Sequence, residues 1–199
     1  MENFKKTIVF TAPSGAGKTT IVKHLLKSFP EKLAFSISAT TRQKREIETN
    51  NKDYYFMTVE EFKIKVANGE FIEWEEVYDN QYYGTLRSEI DRLWALKKTV
   101  VFDVDVKGAT KIKKYFANNC LSVFVSPPDI DTLIARLERR GTETPQSLKK
   151  RIARVRSEMT YRDTFDKIII NDDLNSALTQ AEILVNAFLK EKLKSNSDD

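Results

Sequence analysis

A chain of 199 residues, 41% hydrophobic and 31% charged, suits one α/β core with small inserted lobes, and its net charge of +4 (33 basic against 29 acidic side chains) fits an enzyme handling anionic substrates but does not argue for nucleic-acid binding. A single cysteine, Cys120, rules out an intrachain disulfide, and with a single histidine, His24, it rules out a zinc site and cysteine–histidine catalysis. No apolar run approaches the ~18 residues of a membrane span, and the opening run to Pro13 is too short for a secretory leader, so a soluble, reducing, cytoplasmic setting without membrane partners is expected.

Thr7 to Thr11 is β-branched and aromatic and predicts a buried strand. Pro13, Gly15 and Gly17 break it, and Ile21, Val22, Leu25, Leu26 and Phe29 then recur at helical spacing until Pro30. Leu33 to Ser38 predicts a second strand, followed by a charged stretch, Thr40 to Asn51, without apolar periodicity. Tyr54 to Met57 and Phe71 to Trp74 read as strands, with Trp74 expected in a local core. Between them Val59, Phe62, Val66 and Ala67 mark a helix, opened by Thr58 and Glu61 as a capping box and stopped at Gly69. Tyr82 to Gly84 closes what reads as an inserted lobe over 37–88. A strand at Thr99 to Val104, a helix to about Phe116 and a strand at Leu121 to Ser126 follow, Cys120 being a buried thiol at that strand's start. Helices carrying Ile130 to Leu137 and Pro145 to Tyr161, a strand at Lys167 to Asn171 and a helix over Ala177 to Leu193 complete the chain. Short buried strands alternating with helices predict a mostly parallel sheet covered on both faces.

The sharpest signal is the run Ala12, Pro13, Ser14, Gly15, Ala16, Gly17, Lys18, Thr19, set between a strand and a helix. Glycines let the backbone curl so that successive N–H groups face phosphate oxygens, and the helix N-terminus adds a partial positive charge. Lys18 is placed to bridge the β- and γ-phosphates of a nucleotide and Thr19 to offer its hydroxyl to Mg²⁺. The pattern usually opens with glycine; Ala12 is acceptable there if its φ is negative. His24, on the following helix, receives no role.

A second anion site is readable in Arg42 and Arg45, three apart at the exit of the second strand. Two guanidinium forks there can clamp one phosphate, with Tyr54 and Tyr83 adding phenolic donors. A solvated basic loop is the competing reading, and the nearby phosphate loop weighs against it.

These runs, with those at 52–56, 71–74, 82–85, 102–108, 140–144 and 171–174, resemble guanylate kinase in order and over nearly the whole length. The resemblance implies a P-loop NTPase-type three-layer α/β/α core with a parallel sheet (1–36, 89–135, 160–199), an NMP-binding lobe (37–88) and a small helical lid (136–159). It implies ATP and GMP as substrates with Mg²⁺ as cofactor. Ser38, Glu73 and Thr85 would contact guanine, and Arg42, Arg45, Tyr54 and Tyr83 the GMP phosphate. Lys18 and the loop from Ala12 to Thr20 would hold ATP, with Asn171 near the adenine. Arg136, Arg140 and Arg151 would come from the lid over the transferring phosphate. Positions 12, 44 and 47, commonly Gly, Pro and Gly in the family, are Ala12, Lys44 and Ile47 here.

The residues give a reason for guanine. Its N1–H and N2–H₂ donors suit a carboxylate such as Glu73, whereas adenine would set a lone pair against it. Asp103 and Asp105 lie two apart at the end of a buried strand, so both are expected to face the site, either orienting Mg²⁺-bound water or binding the acceptor side. Eight basic residues between Arg136 and Arg156 are expected to supply two or three lid contacts, the rest being solvated. A kinase for another phosphorylated small molecule and a non-catalytic phosphopeptide-binding scaffold are the alternatives; Lys18 and Thr19 favour catalysis, and Ser38, Glu73 and Thr85 favour guanine.

Overall fold

The computed structural model describes residues 5–139 and 145–191. Five parallel strands, β1 (Thr7–Thr11), β2 (Leu33–Phe35), β7 (Thr99–Asp103), β8 (Cys120–Ser126) and β9 (Lys167–Ile170), form a sheet in the order β2-β7-β1-β8-β9. β1 and β8 are buried throughout, which explains why their sequences are almost continuously apolar rather than alternating.

Alternation along β1 decides which layer each residue serves. Ile8 and Phe10 pack with Ile21, Val22 and Leu25 of α1 (Lys18–Ser28), Leu133 and Leu137 of α5 (Ile130–Arg139), Val155 of α6 (Pro145–Met159), and Ala177, Ala181 and Val185 of α7 (Leu174–Lys190). Val9 faces the other way, against Ile90 and Leu93 of α3 (Arg87–Ala95) and Val106, Ala109 and Ile112 of α4 (Val106–Phe116). The result is three layers, α/β/α. The span expected as a lid is tied to the first of these clusters through Leu137 and Val155.

A second sheet, β4-β3-β6-β5, carries the inserted lobe: β3 (Ala39–Thr40), β4 (Tyr55–Phe56), β5 (Phe71–Tyr78) and β6 (Gln81–Leu86). β5 and β6 form an antiparallel hairpin that turns at Asp79 and Asn80, the latter at φ 56°, a conformation asparagine tolerates. The hairpin makes β5 four residues longer than its apolar start suggests. α2 (Val59–Ala67) begins with the predicted capping box at Thr58 and Glu61. The lobe has its own small core, in which Phe62 stacks on Phe71 at 4.4 Å. A register shift between Phe71 and Glu73 turns Glu73 to the opposite face and leaves Trp74 on the side of Phe71 and Tyr82, its ring 6.2 Å from that of Tyr82, but at 40% exposed it is not one of the core's buried residues.

Three departures from the sequence reading have simple causes. β2 stops at Phe35, short of Ser38, because the chain leaves the core sheet there and re-pairs as β3 in the lobe. α7 starts three residues early because Asp173 caps it, accepting from the Ser176 backbone N–H at 2.8 Å. α3 was not predicted: it follows β6 directly from Leu86, with no side-chain cap to announce it.

Candidate active site

The donor cradle follows from β1 ending between its neighbours β7 and β8. After Thr11 the chain turns through Pro13 to Gly17 and enters α1 at Lys18. Gly15 (φ 95°) and Gly17 (φ 90°) take left-handed conformations that let the loop's N–H groups point inward. Gly17 is doubly constrained, since a Cβ there would collide with Asn171 Nδ2. Ala12 is absent from the positive-φ positions and is buried, so its methyl is accommodated where glycine is usual. Asn171 is buried and donates through Nδ2 to Ala16 O at 2.7 Å, so its side chain props the loop from beneath. Arg136 donates through one terminal nitrogen to Asn171 O at 2.9 Å, locking the last strand's exit to α5.

Lys18 Nζ bonds Asp103 Oδ1 and lies 3.2 Å from Val104 O. Thr19 Oγ1 donates to Asp103 Oδ2 at 2.8 Å. Burial pulls the Lys18 ammonium down to about 8, while the carboxylates of Asp105 and Glu158 oppose that fall; contact with Asp103 acts in the same sense as these two. A cleft of about 600 Å³ opens over the loop, lined by Ala12 to Gly15, Gly17 to Thr20, Tyr78, Asp105, Arg151, Arg154 and Glu158.

The acceptor cradle is built from side chains. Glu73 and Thr85 are cross-strand partners in the β5–β6 hairpin, and Thr85 Oγ1 donates to Glu73 Oε1 at 2.8 Å. Thr85 is fully buried and Glu73 nearly so. Burial raises the Glu73 carboxyl above the ordinary range, the Thr85 hydrogen bond opposes this, and the charges of Asp105 and Glu75 reinforce it. α4 passes beside Glu73 at Gly108, where a Cβ would stand in ordinary contact, 3.5 Å from Glu73 Oε2. Glu73 lines a cavity of about 250 Å³ with Ser38, Tyr54, Tyr83, Asp103, Asp105 and Arg154.

Arg42 belongs to the same lobe. Its guanidinium lies over Tyr54 at 5.2 Å and donates both terminal nitrogens to Glu48, each at 2.9 Å. Arg45 reaches Glu48 with its backbone N–H at 2.8 Å. These donors bring the Glu48 carboxyl down to about 2. Ile47 is 92% exposed and its φ is not positive, so glycine is not required there.

The two aspartates diverge. Asp103 is the last residue of β7, whereas Asp105 is the N-cap of α4, accepting from the Gly108 N–H at 2.9 Å. Strand alternation therefore does not govern the pair. Asp103 grips the donor loop while also lining the acceptor cavity; Asp105 and Arg154 line both cavities.

A family model described as guanylate kinase matches residues 4–188. The chain belongs to the guanylate kinase family. The guanylate kinase of Bacteroides fragilis is 47% identical over 184 residues, covering 92% of this chain and 90% of its own length. That of Bacteroides thetaiotaomicron is 45% identical over 187 residues, covering 94% and 91%. The crystal structure of guanylate kinase from Anaplasma phagocytophilum matches the fold with a TM-score of 0.71 at 24% identity, covering 96% of this chain and 90% of that one.

Within this guanylate kinase fold the structure brings Lys18, Thr19 and Arg151 to the cleft over the loop, with Asp103 bonded to Lys18 and Thr19, and Ser38, Tyr54, Glu73, Tyr83 and Asp103 to the cavity around Glu73. Asn171 is turned under the loop, and Arg140 lies outside the described residues. Three contributors were not singled out from sequence: Glu48, Glu158 and Arg154. Their contacts are tertiary or loop-specific, and only the i, i+4 spacing of Arg154 and Glu158 offered a sequence signal.

Proposed function

We propose that the chain transfers the γ-phosphate of ATP to GMP, and to dGMP, giving ADP and the guanosine diphosphate, and so recycles GMP in purine nucleotide metabolism. The observation that carries this reading is the shared wall: Asp105 and Arg154 line both the cavity over Lys18 and the cavity around Glu73. A phosphate anchored in one therefore borders an acceptor anchored in the other.

ATP binds with its β- and γ-phosphates in the curl of the loop, where backbone N–H groups and Lys18 neutralise them. Substrate phosphate takes over the Lys18 ammonium from Asp103. Thr19 and Asp103 present a hydroxyl and a carboxylate 2.8 Å apart at the loop's mouth, the hard oxygen donors that Mg²⁺ prefers, and so fit the ion. Thr19 and Asp103 would hold the ion there, which would supply positive charge to offset that of the ATP phosphates. No group of three or more His, Cys, Asp or Glu among the described residues gathers as a cage.

On the other side the ionised Glu73 accepts from guanine N1–H and N2–H₂, with Ser38 and Thr85 completing the base site. Arg42, Arg45, Tyr54 and Tyr83 hold the phosphate. The GMP phosphate oxygen is already ionised at neutral pH, so no protein nucleophile is needed; Cys120 is buried with its thiol pushed up to about 12. Catalysis rests on alignment and charge neutralisation, completed by Arg136, Arg140 and Arg151.

The scaffold alternative is disfavoured because Lys18 and Thr19 stand in place on a glycine-curled loop. No helix among the described residues is long and apolar enough to cross a membrane. The deciding assay supplies ATP and Mg²⁺ with GMP, dGMP, AMP, CMP or UMP and follows ADP formation. Turnover with GMP and dGMP is expected; binding of GMP without turnover would favour the scaffold, and a preference for another acceptor would overturn the base assignment.

A further inference from the structure

Arg154, one of the eight basic residues between Arg136 and Arg156, has no individual role in the assignments above, yet with Asp105 it borders both cavities. It sits on α6 at i+3 from Arg151 and i−4 from Glu158, so the three side chains share one helix face. That face looks onto the phosphate loop, while Val155 beside it is fully buried in the core. The helix therefore holds Arg154 from a packed backbone.

Two carboxylates hold the guanidinium. Nε donates to Glu158 Oε1 at 2.8 Å, and one terminal nitrogen donates to Asp105 Oδ2 at 3.1 Å. Asp105 is itself fixed by its other oxygen at the start of α4. These bonds use two of the five N–H donors of an arginine and leave three for a ligand, on a side chain that is 46% exposed and borders both cavities. Glu158 is 8% exposed, and its second oxygen is buried without a hydrogen-bond partner. A pair serving stability alone would be expected to satisfy that atom. The arrangement instead aims a cation where substrate anions meet.

Resting on the ATP–GMP reading, we propose that Arg154 is a further catalytic residue, whose guanidinium contacts the phosphoryl group during transfer. In that step a GMP phosphate oxygen forms a bond to the γ-phosphorus as the bond from that phosphorus to the β–γ bridging oxygen breaks. ADP leaves with the electron pair, and no proton need move. Charge spreads over the equatorial oxygens of the transferring group and onto the leaving oxygen, where a fixed guanidinium is worth most. Glu158 and Asp105 act as positioning residues that hold Arg154 against its own flexibility.

The test compares wild-type protein with R154Q and R154K in three readouts: kcat with saturating ATP, Mg²⁺ and GMP; Kd for GMP alone; and Kd for GMP in the presence of ADP, Mg²⁺ and aluminium fluoride, which imitates the transferring group. R154Q should lower kcat about 10²-fold, in line with the loss of one preorganised charge-stabilising group. Binding of GMP alone should be unchanged, and affinity in the aluminium fluoride complex should fall with kcat. R154K, which keeps the charge and loses the fork, should recover part of the rate. A wild-type kcat in either folded variant would overturn the proposal. So would a loss matched by equal weakening of GMP binding alone, the signature of a structural role. Should R154Q not fold, R154K carries the same readouts. Wild-type turnover of GMP with an indifferent Arg154 sinks this inference alone, whereas no wild-type turnover sinks the functional reading beneath it.

Discussion

The proposed donor and acceptor cradles are built by different means for the same kind of group. The first is mostly backbone: a short loop between a fully buried strand and a helix, bent by Gly15 and Gly17 and propped by Asn171. Its shape is fixed by the main core. The second is side chains flanking two-residue strands and on a hairpin, with Arg42 held against Tyr54 by Glu48 rather than by the fold as a whole. A phosphate loop needs only a strand, a turn and a helix in sequence. A base-selective site needs residues from several segments, and Ser38, Glu73 and Tyr83 reach one cavity only when the lobe has folded.

The sharpest way to break this comparison is to remove the one side chain on which the backbone cradle most depends. Lys18→Ala should lower kcat by about 10³-fold or more, as expected for loss of a cation that acts on the transferring phosphate, with little change in thermal stability. Unchanged turnover in steady-state kinetics would show that the backbone alone suffices. On the other side, Glu73→Ala should cut the preference for GMP over AMP by about 10²-fold or more while leaving the ATP KM in place. Retained preference would refute base readout by this carboxylate.

Arg42→Lys tests whether the acceptor cradle depends on a fork or merely on charge. A point charge cannot pair bidentately, so the KM for GMP should rise about tenfold with a smaller effect on kcat; an unchanged KM would reduce Arg42 to a bystander. The gentlest probe is pH. Because burial raises the Glu73 carboxyl, acidification should protonate it before ordinary surface carboxylates and raise the KM for GMP. The GMP phosphate titrates too, so Glu73→Gln serves as the reference. Its KM–pH profile should lack the Glu73 component, and identical profiles for the two proteins would contradict the assignment.

The same contrast governs how much could be read in the sequence. The donor loop was legible because its chemistry is contiguous and each neighbour has a local reason to be there. The α/β/α layering followed from short buried strands alternating with helices, and the capping box at Thr58 and Glu61 was visible as a pattern. α3 was not, because Leu86 offers no side-chain cap and the helix is mostly polar. The divergence of Asp103 and Asp105 was also hidden: the alternation rule stops at the end of a strand, and Asp105 already belongs to a helix cap. Among the basic residues from 136 to 156, sequence spacing could not say which faces the cleft. That required knowing where Val155 is buried, which depends on the packing of α6 against the sheet's helices.

Stereochemistry at phosphorus tests the direct crossing between the two cradles most plainly. ATP carrying a chiral, isotopically labelled γ-thiophosphate is turned over with GMP, and the configuration of the product thiophosphate is determined. A single in-line displacement predicts inversion. Retention would mean that the group stops on the protein before reaching its acceptor, and would contradict the account.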